Sequence, residues 1–246
     1  MTLLPPRLGA RLPGPERMDD LAALRGDELR GALSGLRTIN TWLGGHRTTR
    51  RALDDLASRV ELGRRIDVLD VGGGSGDAAP EIIDWARRRG VEARVVVLDL
   101  HPDTAREAAA RLHGVAGAEA RQGDLFDVDA ASFDIVHAGL FLHHFDGADA
   151  PRALGAMARI ARRGVVINDL HRHPVPWALI RWLTLAVSRN EALRFDGPLS
   201  VARAFTPDDW RALGPAAGLD LRWRRSWAWR WAVSGVPVAT RDAVSA

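Results

Sequence analysis

The residues best placed to do chemistry in this chain stand just after apolar runs. Gly72, Gly73, Gly74 and Gly76, broken only by Ser75, follow the run 66–71, which carries Asp70; Asp77 comes next, at the head of a helical pattern. Farther on, Asp99 closes a β-branched run and Asp124 follows a short one. His143 with His144, and Asp169 with His171 and His173, follow two more. Glycine in such a turn lets the backbone take positive φ and lets a ligand lie against bare main chain. The helix behind it offers free N–H groups. The dinucleotide fingerprint G-x-G-x-x-G is not met, because from Gly72 its third glycine is replaced by Asp77, an acid that repels phosphate. A P-loop fails as well, since the chain contains no lysine. What remains is D-x-G-x-G-x-G from Asp70 to Gly76, acidic at both ends, which suits a ligand carrying an ammonium and a sulfonium.

Those residues need elements to hold them. Strands are expected at 66–71, 93–100, 118–122, 133–138 and 164–168, alternating with helices at 77–89, 102–112 and 151–161. That alternation predicts an α/β fold, a parallel sheet doubly wound by helices. Ligands bind at the carboxyl ends of such strands, where every residue named above falls. In that fold an acid ending the second strand meets ribose hydroxyls, the role expected of Asp99. Residues 1–17, rich in proline, glycine and arginine, read as a flexible arm, and 18–60 as an N-terminal helical cap. Residues 61–246 form the core, with a lid insertion at about 170–206: a loop at 171–176, an apolar helix at 177–187, and a turn at Asp196, Gly197 and Pro198. Thr206 caps a helix at 207–217 that opens with Pro207. Runs at 219–225 and 229–236 predict a closing antiparallel hairpin.

Composition removes several classes. The chain has 246 residues, 46% of them apolar, enough for one sizeable core. Its formal charge is +3, and all 34 basic residues are arginine, which raises the isoelectric point to about 10.8. The absence of cysteine excludes disulfides, thiolate metal sites and cysteine nucleophiles. No apolar run approaches the roughly 18 residues of a spanning helix. The start of the chain lacks a signal-like apolar stretch, so a cytoplasmic enzyme is expected.

The glycine pattern resembles the first motif of class I S-adenosylmethionine (SAM) dependent methyltransferases, and the resemblance runs from about 66 to 236. It implies a Rossmann-like seven-stranded sheet, mostly parallel with the last strand antiparallel, and SAM as cofactor with S-adenosylhomocysteine as product. Asp70, Gly72, Gly73, Gly74, Gly76, Asp99, Leu100, Gly123, Asp124, Leu125 and Ala138 then bind the cofactor, with Asp124 on the adenine amino group. Phrases such as LRTINTWLGGHR, FLHHF, INDLHRHP and DGPLSVARAFT resemble the ubiquinone/menaquinone-methyltransferase-like branch of bacterial secondary-metabolite enzymes. That branch implies a phenolic, quinone-like or polyketide acceptor.

Methyl transfer is an in-line displacement helped by positioning. A phenolic acceptor, with pKa near 10, also gains from a general base. Histidine suits that role, and the expected order is His144, then His143, then His171, with Asp169 orienting. Trp42, His46, Trp177 and Phe205 are the expected substrate contacts. The histidine spacings do not signal a metal, and none is expected. O-methylation of a phenolic or enolic hydroxyl is the leading reading and C-methylation of such a ring the alternative. An RNA methyltransferase is favoured if Arg222, Arg224, Arg225 and Arg230 form one open basic face; a non-catalytic SAM-binding protein is the remaining reading. No nucleic-acid partner or membrane span is expected, and the chain is read as a monomer or homodimer.

Overall fold

A computed structural model describes residues 8–19, 26–187 and 190–238. Seven strands form one sheet: β1 Arg65–Val71, β2 Glu92–Asp99, β3 Ala118–Gln122, β4 Phe133–Gly139, β5 Ala161–Leu170, β6 Leu219–Ser226 and β7 Arg230–Pro237. Their order is β3-β2-β1-β4-β5-β7-β6. The first five are parallel, and β7 runs antiparallel between β5 and β6. The doubly wound parallel sheet read from the alternation is therefore present, and so is the seven-stranded form with an antiparallel last strand that the resemblance implied. The order reverses between β1 and β4, which opens a crevice at their carboxyl ends.

Alternating side chains of each central strand feed opposite faces. Leu69 and Val71 join Val136, Ile167, Leu154 and Trp210 on the face covered by α5 (Asp149–Ile160) and α8 (Pro207–Ala216). Val68 joins Val95, Ile135, Val166 and Trp85 on the other. That face is covered by α2 (Gly45–Ala57), α3 (Ala78–Arg87) and α4 (Pro102–Leu112). Burial on both faces explains why these strands read as unbroken apolar runs. Helix α1 (Gly26–Trp42) lies above the glycine turn, its Leu33 being the neighbour nearest to Gly74.

Two stretches depart from the sequence reading. The turn expected at Asp196, Gly197 and Pro198 is helical. Helix α7 (Glu191–Arg203) runs through it, with Asn190 accepting from the Leu193 N–H as cap. Burial of Leu193, Pro198, Val201 and Ala202, partly against α6 (Pro174–Val187), outweighs the local turn preference. The second departure is the arm. Residues 1–7 lie outside the described residues, but 8–19 are docked rather than loose. Leu12 N–H bonds the Ala202 carbonyl at 3.2 Å, and Arg172 reaches the Leu8 carbonyl at 3.1 Å. Arg11 donates to the carbonyls of Arg203 at 2.6 Å and Phe145 at 2.8 Å, with its guanidinium over the Phe205 ring. Proline and glycine keep residues 8–16 from being helical; they do not keep Arg11 from closing open carbonyls at the ends of neighbouring elements. Residues 20–25 of the expected cap and 239–246 of the expected core also lie outside the described residues.

Candidate functional site

The crevice is floored by the glycine turn. The Phe141 ring packs on Gly72, where a Cβ would stand 2.1 Å from it, and φ there is +58°. At Gly73 a Cβ would meet Val97 at 2.6 Å and Asp70 Oδ2 at 2.8 Å. Asp70 is buried, and its other oxygen is held by His137 Nδ1 at 2.6 Å. A carboxylate oxygen only accepts, so Nδ1 is the donor to Asp70; Thr49, which accepts from the Asn168 amide at 3.3 Å, stands 3.1 Å from His137 Nε2. Asp70 Oδ2 is left buried without a partner, facing the turn. An orphaned carboxylate oxygen beside bare backbone fits a ligand's ammonium group.

Asp99 stands across the turn. It accepts from Gly74 N–H at 3.1 Å and His101 N–H at 3.0 Å. Burial pushes its carboxyl above the ordinary range, against those two donors. Asp124 is half-buried and accepts from Phe126 N–H at 2.9 Å, ahead of a 3-10 turn that begins with the buried Leu125. Gly123 N–H ties β3 to the Asp99 carbonyl, Leu100 is exposed, and the Ala138 side chain is buried in the sheet core.

The third part lies at the ends of β4 and β5. A 3-10 turn, Leu142–His144, stacks the two histidine rings with centroids 4.5 Å apart. His143 is buried. Its Nδ1 gives its proton to Asp169 at 2.6 Å, and its backbone N–H reaches the same carboxylate at 3.2 Å. Burial raises the Asp169 carboxyl while His143 pulls it down, and the net is below the ordinary value. His144, whose side chain is 25% exposed, bonds Asp19 at 2.6 Å. Burial opposes its charge, but Glu16 and Asp19 outweigh burial and hold its pKa at about 9. A ring that already carries its second proton at neutral pH has no lone pair to act as base. Burial, with His173, Arg225 and Arg172 nearby, pushes His171 down to about 4, and its ring packs on Trp231, centroids 4.7 Å apart.

The expected substrate contacts do not converge. Trp177 is packed with Val201 and Ala202, and Phe205 with Trp210 in the main core; apolar side chains there serve the fold. Trp42 is exposed at the end of α1, and His46 bonds Thr41. Arg230 is buried, giving hydrogens to Leu43 O and Asn168, so the four arginines form no single open face. Glu16, Asp19, Thr49 and His137 escaped the sequence reading. Only a family-wide pattern, not local spacing, could have tied the first two to His143 and His144.

Residues 68–164 match a family model described as a methyltransferase domain. No curated protein matches the chain. Among solved structures, human N-acetylserotonin methyltransferase in complex with SAM is 17% identical, with TM-score 0.64, covering 92% of this chain and 60% of that one. A SAM-dependent methyltransferase from Aquifex aeolicus is 14% identical, with TM-score 0.59, covering 87% and 100%. Magnesium protoporphyrin IX methyltransferase from Synechocystis PCC 6803 with bound SAM is 14% identical, with TM-score 0.55, covering 90% of each. At these identities the likeness is one of fold. The matched stretch, which spans the glycine turn, Asp99, Asp124 and the two stacked histidines, is similar to a methyltransferase domain, and the chain has the fold that SAM-dependent methyltransferases share.

Proposed function

We propose that this SAM-dependent methyltransferase methylates a hydroxyl of a small aromatic acceptor, phenolic or enolic, of the polyketide or quinone kind, with His143 taking up the acceptor's proton. The residues present fit the cofactor. The unpartnered Asp70 Oδ2 meets its ammonium, Asp99 its ribose hydroxyls and Asp124 its adenine amino group. When bound, SAM supplies an electrophilic methyl on sulfur.

The observation that carries the reading is the His143–Asp169 pair. Asp169 fixes the imidazole with Nδ1 as donor, which leaves Nε2, in the 3-10 turn after β4 and 3.6 Å from Glu16 Oε1, as the nitrogen to take up the proton. A base so oriented contributes about 10²- to 10⁴-fold. His144 is already protonated, and His171, held neutral by a pKa of about 4, is too weak a base to share the task well. Phe126 and Phe141 each pack edge to face on Phe145, and Phe141 lies on Gly72, so aromatic rings adjoin the glycine turn. The branch resemblance in the sequence, and a structural neighbour that is an N-acetylserotonin methyltransferase, support an aromatic acceptor.

The test is methyl transfer from SAM to a panel of phenols and hydroxyquinones. His143→Ala is expected to keep SAM affinity and to slow transfer by roughly a hundredfold or more. Full turnover in that variant, or methylation at ring carbon alone, overturns the reading.

A further inference from the structure

From the way the docked N-terminal segment meets the histidine turn, we infer a divalent transition-metal site of the zinc type at Glu16, His143 and His144. One ligand atom from each of the three lies within 4.8 Å of the others. Glu16 is 4% exposed, and its Oε1 has no hydrogen-bond partner. That oxygen stands 3.6 Å from His143 Nε2. With Nδ1 held by Asp169, the second ring nitrogen and the Glu16 oxygen face each other in a buried place with no hydrogen bond between them. Such an arrangement is satisfied by a cation.

The surroundings are those of a metal site. Each histidine has one ring nitrogen held by a carboxylate, His143 by Asp169 and His144 by Asp19, which orients the ring and raises the basicity of the free nitrogen. The other Glu16 oxygen accepts from the Ser200 hydroxyl at 2.9 Å, so this ligand is also oriented. Tetrahedral zinc with bonds of 2.0–2.1 Å needs ligand atoms about 3.3 Å apart, close to the 3.6 Å found. Two imidazoles and one carboxylate suit zinc or iron(II) and leave open coordination positions, whereas magnesium takes oxygen ligands.

Charge agrees. Glu16, Asp19 and Asp169 bring three negative charges. Against them, Arg203 donates to the His143 and His144 carbonyls and stops 4.0 Å from Glu16, and Arg11 bonds the Phe145 carbonyl.

A metal here would staple the 8–19 segment to the turn and occupy the lone pair that the proposed base needs. Loss of transfer on zinc loading is therefore a consequence that rests on His143 being the base; the binding itself does not rest on it.

The test is calorimetric titration of metal-stripped, full-length protein with ZnCl₂, and with MgCl₂ as a contrast. One Zn²⁺ per chain is expected, with no Mg²⁺ bound. Glu16→Gln is expected to weaken Zn²⁺ at least a hundredfold while SAM affinity is unchanged, and Asp19→Asn to weaken it roughly 10- to 100-fold. No Zn²⁺ binding by the unaltered protein overturns the site. So does binding that His171→Ala abolishes and Glu16→Gln leaves intact. Zinc bound at one equivalent with transfer undiminished keeps the site and removes His143 as the base.

Discussion

At the residue scale, two carboxylates that look alike in sequence are prepared differently. Asp70 gives one oxygen to His137 and keeps the other bare, whereas Asp99 has both oxygens on backbone N–H groups and lone pairs to spare. Replacing Asp99 by Ala is expected to lower SAM affinity by about 1.5–3 kcal/mol, the worth of charge-assisted hydrogen bonds. Equal affinity in titrations of both proteins would remove Asp99 from the site. The D-x-G-x-G-x-G pattern and Asp99 were legible because strand ends and glycines are local signals. The partner of Asp70 was not, because His137 sits inside an apolar run 67 positions away. Trp177 and Phe205 were misread for a related reason: an apolar pattern says that a side chain is buried, not whether core or ligand buries it.

At the scale of elements, the 8–19 segment is coupled to the histidine turn through charge. His144 rises from an ordinary 6.5 to about 9 in the folded chain. A raised pKa stabilises fully below about 6.5 and ceases to stabilise as pH passes 9. Hydrogen exchange in residues 8–19 should accordingly quicken as pH goes from 6.5 to above 9, beyond the intrinsic pH effect on exchange, and Asp19→Asn should flatten that trend. Protection that is independent of pH in both proteins would contradict the coupling. Helix α8 was readable from its Thr206 cap, which forms a reciprocal capping box with Asp209. Helix α7 was not, because its Asp-Gly-Pro triplet signals a turn and only burial against distant residues decides otherwise.

For the whole molecule, the alternation of strand and helix carried the topology, since five parallel strands joined by helices allow few other arrangements. The described residues contain no helix long and apolar enough to cross a membrane. The proposed cofactor site draws on the ends of β1, β2 and β3, so its filling should stabilise the fold as a unit. At SAM a hundredfold above its Kd, mass action adds about 2.7 kcal/mol. For a chain of this size that is roughly 5–10 °C in Tm by calorimetry. No shift at saturation would mean that SAM engages no part of the fold. The measurement that bears most directly on the account is isothermal titration of the protein with SAM, S-adenosylhomocysteine and NAD. The account predicts one site for each sulfur ligand, weakened by Asp99→Ala, and none for NAD. Binding of NAD, or failure of both sulfur ligands to bind, would contradict it.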